Sequence, residues 1–229
     1  MSEPGRVPLL LVGATGLIGS AVIAATATRP HVQLAALARR EATIPPGARL
    51  EMLVADPAGW PDAIARAQPD VVVIALGTTM AAQGGDRQAF FGIDHDLVMQ
   101  VARAARAAGT RQVILVSSVG ADATSRNFYL SVKGQVETAV NALNFGRFDI
   151  LRPGLLRGAR SGPPRRAERV GQIAAPLIDP LLRGRWAQYR SIQAHTVAAA
   201  ILALAGRPGR GRHVHTTPDI HSLARSGLT

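Results

Sequence analysis

Leu9-Leu10-Leu11-Val12-Gly13-Ala14-Thr15-Gly16-Leu17-Ile18-Gly19 runs from four aliphatic residues through spaced glycines into a second aliphatic stretch. That order is a strand, a tight turn and the start of a helix. One glycine permits the turn, another lets a pyrophosphate approach the backbone, and the third lets helix and strand pack closely. The helix start then offers free amide groups and the positive end of its dipole to phosphate. Glycine spacing alone is weak, because the chain holds 23 glycines. Its position after a first apolar strand gives it weight, and Gly13, Thr15, Gly16, Leu17, Ile18 and Gly19 are the expected dinucleotide contacts.

Outward from that loop, short apolar runs alternate with longer segments of helical spacing. The strands expected are Pro8–Val12, Val32–Leu37, Leu50–Val54, Val71–Ala75, Gln112–Val116 and Phe148–Leu151. They read as nearly continuous apolar runs, as in a parallel sheet covered on both faces. The helices expected are Leu17–Ala27, Trp60–Ala67, Gln88–Ala108 and Arg126–Leu143, with a further one at Ala194–Ala205 and a short strand near His213–Thr216. The alternation predicts an α/β fold with a doubly wound parallel sheet. It fails after residue 152, where Pro153, Pro163 and Pro164 alternate with Gly154, Gly158 and Gly162, the chemistry of a long loop. With no repeat and no linker, 229 residues read as a single domain in which residues from about 153 onward form a small substrate region.

Three loops at the ends of these strands complete a cofactor site. An NAD-specific site places an acidic residue about twenty positions beyond the glycines; here Arg39 and Arg40 stand there. Forked guanidinium donors suit a 2′-phosphate, so NADPH is favoured over NADH. Asp56, after the third strand, is placed to accept from the adenine amino group, and Gly77-Thr78-Thr79 follows the fourth strand, where ligands of open α/β sheets bind.

The reaction centre is read from Phe128-Tyr129-Leu130-Ser131-Val132-Lys133. Four residues make about one helical turn, so Tyr129 and Lys133 share a face, and an ammonium beside a phenol favours the phenolate. Lys133 is the only lysine, while arginine supplies every other basic side chain; a lysine kept in such a chain suits a compact contact to ribose hydroxyls. Ser117 and Ser118 close the fifth strand, and either hydroxyl suits a substrate carbonyl or the tyrosine. Ser118 is preferred, since Ser117, directly after the strand, is expected still to point along it.

Composition limits the other classes of function. The net charge of +11 comes from arginines scattered between Arg6 and Arg225 without a dense run, so neither nucleic acid nor a membrane surface is expected as a partner. The absence of cysteine rules out disulfides and thiolate metal sites, and no metal ligands are expected. No apolar run is long enough to span a bilayer, and a cytoplasmic location is expected.

Four segments carry a family likeness: Gly13 to Gly19, Leu76-Gly77-Thr78-Thr79, Val116-Ser117-Ser118-Val119-Gly120-Ala121-Asp122 and Asn127-Phe128-Tyr129-Leu130-Ser131-Val132-Lys133-Gly134. Their order resembles the atypical NAD(P)-binding branch of the short-chain dehydrogenase/reductases. The likeness extends to the Tat-interacting-protein-like oxidoreductases and the bacterial proteins described as nucleoside-diphosphate-sugar epimerase-like. The resemblance implies a Rossmann domain, NADP(H) as preferred cofactor and a Ser/Tyr/Lys constellation at Ser117 or Ser118, Tyr129 and Lys133. Arg152-Pro153-Gly154-Leu155-Leu156 looks like the segment that closes over the nicotinamide, which adds Pro153, Gly154 and Leu156 to the cofactor contacts.

The function so implied is reduction of a small carbonyl compound or oxidation of its alcohol. A redox sensor or assembly factor that binds NADPH without turnover, and a sugar-nucleotide epimerase, are the alternatives. Arg157, Arg160, Arg165 and Arg166 follow the closing segment. Guanidinium groups there would favour a carboxylate or phosphate on the substrate, or clamp the cofactor pyrophosphate, with Arg165 the expected contact.

Overall fold

The computed structural model describes residues 6–29, 32–158, 179 and 182–227. Seven strands form one all-parallel sheet: β1 (Val7–Val12), β2 (Val32–Ala38), β3 (Leu50–Val54), β4 (Val71–Ile74), β5 (Gln112–Val116), β6 (Arg147–Arg152) and β9 (Gly211–Thr216). Their order is β3-β2-β1-β4-β5-β6-β9. Succession runs one way from β1 to β3 and then resumes at β4 on the other side of β1, so the topological switch point lies between β1 and β4. Ligands of doubly wound sheets bind outside the carboxyl ends of the strands at such a point. A separate two-stranded ladder pairs β7 (Leu156–Arg157) with β8 (Ile192–Gln193).

The alternation along β1 shows why both faces are covered. Leu9 and Leu11 enter one apolar layer with Ile18, Val22 and Ile23 of α1 (Leu17–Ala25) and Val197, Ala198 and Ile201 of α6 (Ala194–Leu204). Leu10 and Val12 enter the other layer. There they meet Trp60 and Ile64 of α2 (Trp60–Ala67), Val98 and Ala102 of α4 (Leu97–Ala107), and Val136 and Val140 of α5 (Phe128–Asn141). Leu10 and Leu11 are fully buried, so truncating either to alanine removes contacts worth about 2–5 kcal/mol.

The structure departs from the sequence reading in three places. The helix expected over Gln88–Ala108 is broken: α3 (Arg87–Phe91), capped by Asp86, gives way to a π turn at Gly92–Asp96 before α4 begins. Residues after Thr216 form a further helix, α7 (Thr217–Ser226), beyond the point where regular structure was expected to end. Its start is marked in the sequence: the Asp219 carboxylate accepts from the Thr216 backbone N–H at 2.8 Å and from its hydroxyl at 2.7 Å, and Pro218 stands in the first turn. β7 arises within the stretch read as loop, its partner β8 forms just before α6 where no strand was expected, and Ile192 is buried against the core.

Candidate functional site

Because the large sheet is wholly parallel, the loops leaving β1, β2, β3, β4, β5 and β6 open on one edge. Gly13 has φ +101, a backbone that side chains disfavour, and a Cβ there would lie 2.5 Å from the Ala75 carbonyl oxygen in the loop after β4. At Gly19 an added Cβ would overlap the Gly13 carbonyl oxygen, so α1 closes against the end of β1 only with glycine there. No side chain caps α1, and its first turn holds no acidic residue. Among the described residues its leading amides and dipole therefore meet no internal anion, and these residues fit a dinucleotide pyrophosphate. Thr15 is exposed and Ile18 is buried in the core.

Arg39 and Arg40 follow β2 directly, are exposed, and make no ion pair among the described residues. Asp56 is exposed at the start of a short 3-10 turn, Pro57–Gly59. After β4, Gly77 is exposed; the Thr78 hydroxyl accepts from Gln83 Nε2 at 3.0 Å, and the Thr79 hydroxyl accepts from the Ala82 N–H at 3.2 Å. Thr79 thus caps the 3-10 turn Met80–Gln83.

α5 starts with Asn127 as its cap, accepting from the Leu130 N–H at 3.2 Å. One turn of helix places Tyr129 and Lys133 together, with the ammonium 6.0 Å from the ring centroid. Phe90 packs edge-on to Tyr129 at 5.8 Å. Lys133 is buried and paired with a residue absent from the sequence reading. Its Nζ lies 2.7 Å from Asp94 Oδ1, with side-chain exposures of 8% and 0%. The other carboxylate oxygen accepts from the Thr78 N–H at 2.7 Å. Asp94 sits in the π turn, a distortion that is frequent at functional sites.

The two serines differ. Ser117 is buried and its hydroxyl donates to Glu137 Oε1 at 2.6 Å, while Ser118 is half-buried with one long bond, 3.3 Å, to the Val119 carbonyl. Glu137, one turn beyond Lys133, is also a residue that sequence reasoning missed. It receives Arg152 through two bonds, Nε at 2.9 Å and the terminal nitrogen at 2.5 Å, and Arg212 approaches at 3.3 Å. The hydrogen bond to Glu137, outweighing burial, raises the Arg152 pKa further above its ordinary value. Asp122, on the loop after β5, is held below the usual carboxylate range by bonds from the Thr124 N–H and hydroxyl.

The segment after β6 ties this edge together. The Pro153 carbonyl accepts from the Val119 N–H at 3.0 Å, joining it to the serine loop. The Gly154 N–H donates to the Thr217 hydroxyl at 3.0 Å, and that hydroxyl donates to the Gln188 carbonyl at 2.8 Å. Leu156 lies in the small ladder, and a Cβ on Gly158 would come 2.9 Å from Leu17 at the start of α1. A cavity of about 230 Å³ lies there, lined by Leu17, Ser20, Gly158 and His195 among others. A larger one of about 600 Å³ lies at the opposite edge, against Pro8, Thr26, Val32 and Arg49 near the starts of β1 to β3. None of the candidate site residues named above lines it. Of the arginine segment, Arg157 approaches Asp179 at 3.9 Å, while Arg160, Arg165 and Arg166 lie outside the described residues.

This arrangement, a glycine loop at the switch point of a doubly wound parallel sheet with a Tyr/Lys helix beside it, defines an NAD(P)-binding α/β protein of Rossmann-like fold. The chain belongs to the NAD(P)H-binding family, whose pattern matches residues 13–208. It is 35% identical over 212 residues to the mitochondrial protein fmp52 of Emericella nidulans, covering 88% of this chain and 90% of that one. It is 38% identical over 181 residues to mitochondrial FMP52 of Saccharomyces cerevisiae, covering 77% of each. Among solved structures it resembles MoeE5 in complex with UDP-glucose and NAD, with TM-score 0.68, 16% identity, and coverage of 96% of this chain and 81% of that one. It also resembles the UDP-glucose 4-epimerase of Thermus thermophilus in complex with NAD, with TM-score 0.66, 18% identity, and coverage of 96% and 83%. The relatives correct one expectation. Their names place them in mitochondria, so the cytoplasmic location read from the sequence does not stand.

Proposed function

We propose that the protein is an NADPH-dependent oxidoreductase acting on a small carbonyl compound or its alcohol. The observation that carries this reading is the position of α5. It brings Tyr129 and Lys133 to the carboxyl edge that holds the glycine loop, with Lys133 Nζ against the Gly77 backbone. In this reading Gly13, Thr15, Gly16, Leu17, Ile18 and Gly19 hold the pyrophosphate, and Arg39 and Arg40 take the 2′-phosphate. Asp56 and the Gly77-Thr78-Thr79 loop flank the dinucleotide, and Pro153, Gly154 and Leu156 cover it. When bound, NADPH supplies the hydride. Tyr129 gives its hydroxyl proton to the carbonyl oxygen, Lys133 meets the ribose hydroxyls, and Ser118 orients the carbonyl.

Ser118 is preferred to Ser117 because the Ser117 hydroxyl hydrogen is committed to Glu137. Residues from about 153 onward supply the substrate region, and an anionic group on the substrate suits the arginines that follow Gly154. Two measurements test the proposal together: titration of the protein with NADPH and NADH, and a panel of small carbonyl compounds followed by loss of nicotinamide absorbance. Tighter NADPH binding with turnover of at least one carbonyl is expected. Cofactor binding without turnover across the panel would replace the enzyme by a sensor.

A further inference from the structure

The Asp94 carboxylate has no part in the reaction proposed above, yet it is in contact with a group that does, the Lys133 ammonium. One oxygen is fixed by the Thr78 N–H at 2.7 Å, and the other faces Lys133 Nζ at 2.7 Å without an aligned hydrogen bond. The Gly77 backbone lies over the pair: a Cβ there would come 3.4 Å from Asp94 Oδ1 and 3.6 Å from Lys133 Nζ. An ammonium on a flexible four-carbon stem is strongly hydrated, and burial is unfavourable unless an opposite charge is in contact. Here that charge comes from another element, and the π turn aims it inward.

The order of the sheet says which part of a dinucleotide this controls. The β1-β2-β3 half carries the glycine loop and Arg39 and Arg40, while the β4-β5-β6 half carries Gly77, Lys133 and the serines. In doubly wound sheets the two halves take the two mononucleotide units.

We propose that Asp94 is a positioning residue. It holds the Lys133 ammonium in one place at the nicotinamide half of the site, so that the ribose hydroxyls meet a preplaced cation. The inference rests on the oxidoreductase reading above. It predicts that Asp94 governs affinity for the whole dinucleotide and not for its adenine half. A merely structural residue would weaken both ligands or neither.

The test compares NADPH with 2′,5′-ADP, which lacks the nicotinamide mononucleotide half, in the parent, Asp94→Asn, Asp94→Ala, Lys133→Met and the Asp94→Asn/Lys133→Met double variant. Asp94→Asn is expected to weaken NADPH about tenfold, to leave 2′,5′-ADP within about twofold, and to have little further effect once Lys133 is methionine. Asparagine keeps the shape of the side chain, so it carries the test if the alanine variant unfolds. Unchanged NADPH affinity, equal weakening of both ligands, or independent effects of the two substitutions would each overturn the role. A parent protein that binds no NADPH removes the oxidoreductase reading and this inference together. One that binds NADPH without turning over any carbonyl removes the reaction alone, and the affinities still decide Asp94.

Discussion

Ser117 donates its hydroxyl hydrogen to the Glu137 carboxylate at 2.6 Å, beneath the carboxyl edge of the sheet and shielded from solvent. The same carboxylate holds Arg152 at the end of β6, so one glutamate on α5 joins the ends of β5 and β6. Among the described residues the adjacent serine, Ser118, has only the long 3.3 Å bond from its hydroxyl to the Val119 carbonyl. The two hydroxyls are therefore expected to separate on substitution. Ser117→Ala removes one buried hydrogen bond and is expected to lower stability by about 1–3 kcal/mol with little change in turnover. Ser118→Ala is expected to lower kcat with stability within about 0.5 kcal/mol of the parent. Denaturant unfolding and steady-state kinetics on the two variants check this, and the reverse pattern would exchange their roles.

Tyr129→Phe removes the proposed proton donor while keeping the ring against Phe90. kcat is expected to fall about 10²–10⁴-fold, the range for loss of a general acid, with NADPH affinity nearly unchanged. Parent-like kcat in this variant would remove the tyrosine from the chemistry.

Exposed Arg39 and Arg40, at the end of β2, predict a preference for NADPH over NADH. Loss of one charged hydrogen-bonding partner is worth about 1.5–3 kcal/mol. Arg39→Ala or Arg40→Ala should therefore reduce the preference at least about tenfold, leaving NADH affinity unaltered. Equal affinities of the parent for the two nucleotides would sink the assignment.

Gly19→Ala brings a Cβ onto the Gly13 carbonyl oxygen, a backbone atom that moves only if α1 retreats from β1. The expected result is a loss of about 1–3 kcal/mol in stability, typical of overpacking, together with loss of nucleotide binding. A variant that binds NADPH as the parent does would show that the close approach is not needed.

Asp149, fully buried on β6, accepts from Arg147 through two bonds of 2.7 and 2.8 Å and from Gln112 at 2.8 Å, with His215 Nε2 at 2.9 Å. Burial alone would raise its pKa, but the bonds from His215, Arg147 and Gln112 outweigh it and hold the carboxyl below its ordinary value. A depressed folded-state pKa contributes stability that is full above the unfolded value, about 3.9, and is lost as pH falls through the folded value. Asp149→Asn is expected to cost about 3–5 kcal/mol near neutrality, as when one partner of a buried pair is removed. The gap to the parent should narrow as acid takes the pH through that window. Urea unfolding at stepped pH measures it, and a gap independent of pH would show that the Asp149 charge does not contribute.

Much of the architecture was legible because apolar periodicity reports burial directly. β3, β5 and α2 begin and end where their apolar patterns do. The missed α7 was legible in principle from Thr216, Pro218 and Asp219, the spacing that starts a helix. The π turn was not, because an apolar pattern reads through Gly92–Asp96 much as it would through a regular helix. The same limit hid Asp94 and Glu137, whose charges look like ordinary polar positions until their partners are known.

By itself, the sequence determined the succession of the seven sheet strands and most of the helices between them, the glycine loop at the end of the first strand, and the sharing of one helical face by Tyr129 and Lys133. These depend on contacts between near neighbours in the chain, or on which face of an element is apolar. Only the tertiary structure decided that Lys133 is buried against Asp94, that Ser117 is committed to Glu137 and that Arg152 of β6 joins the same Glu137 carboxylate. A buried charge is settled by whatever group stands opposite it. That group comes from another element, whose phase and distance are set by how the helices pack across the sheet.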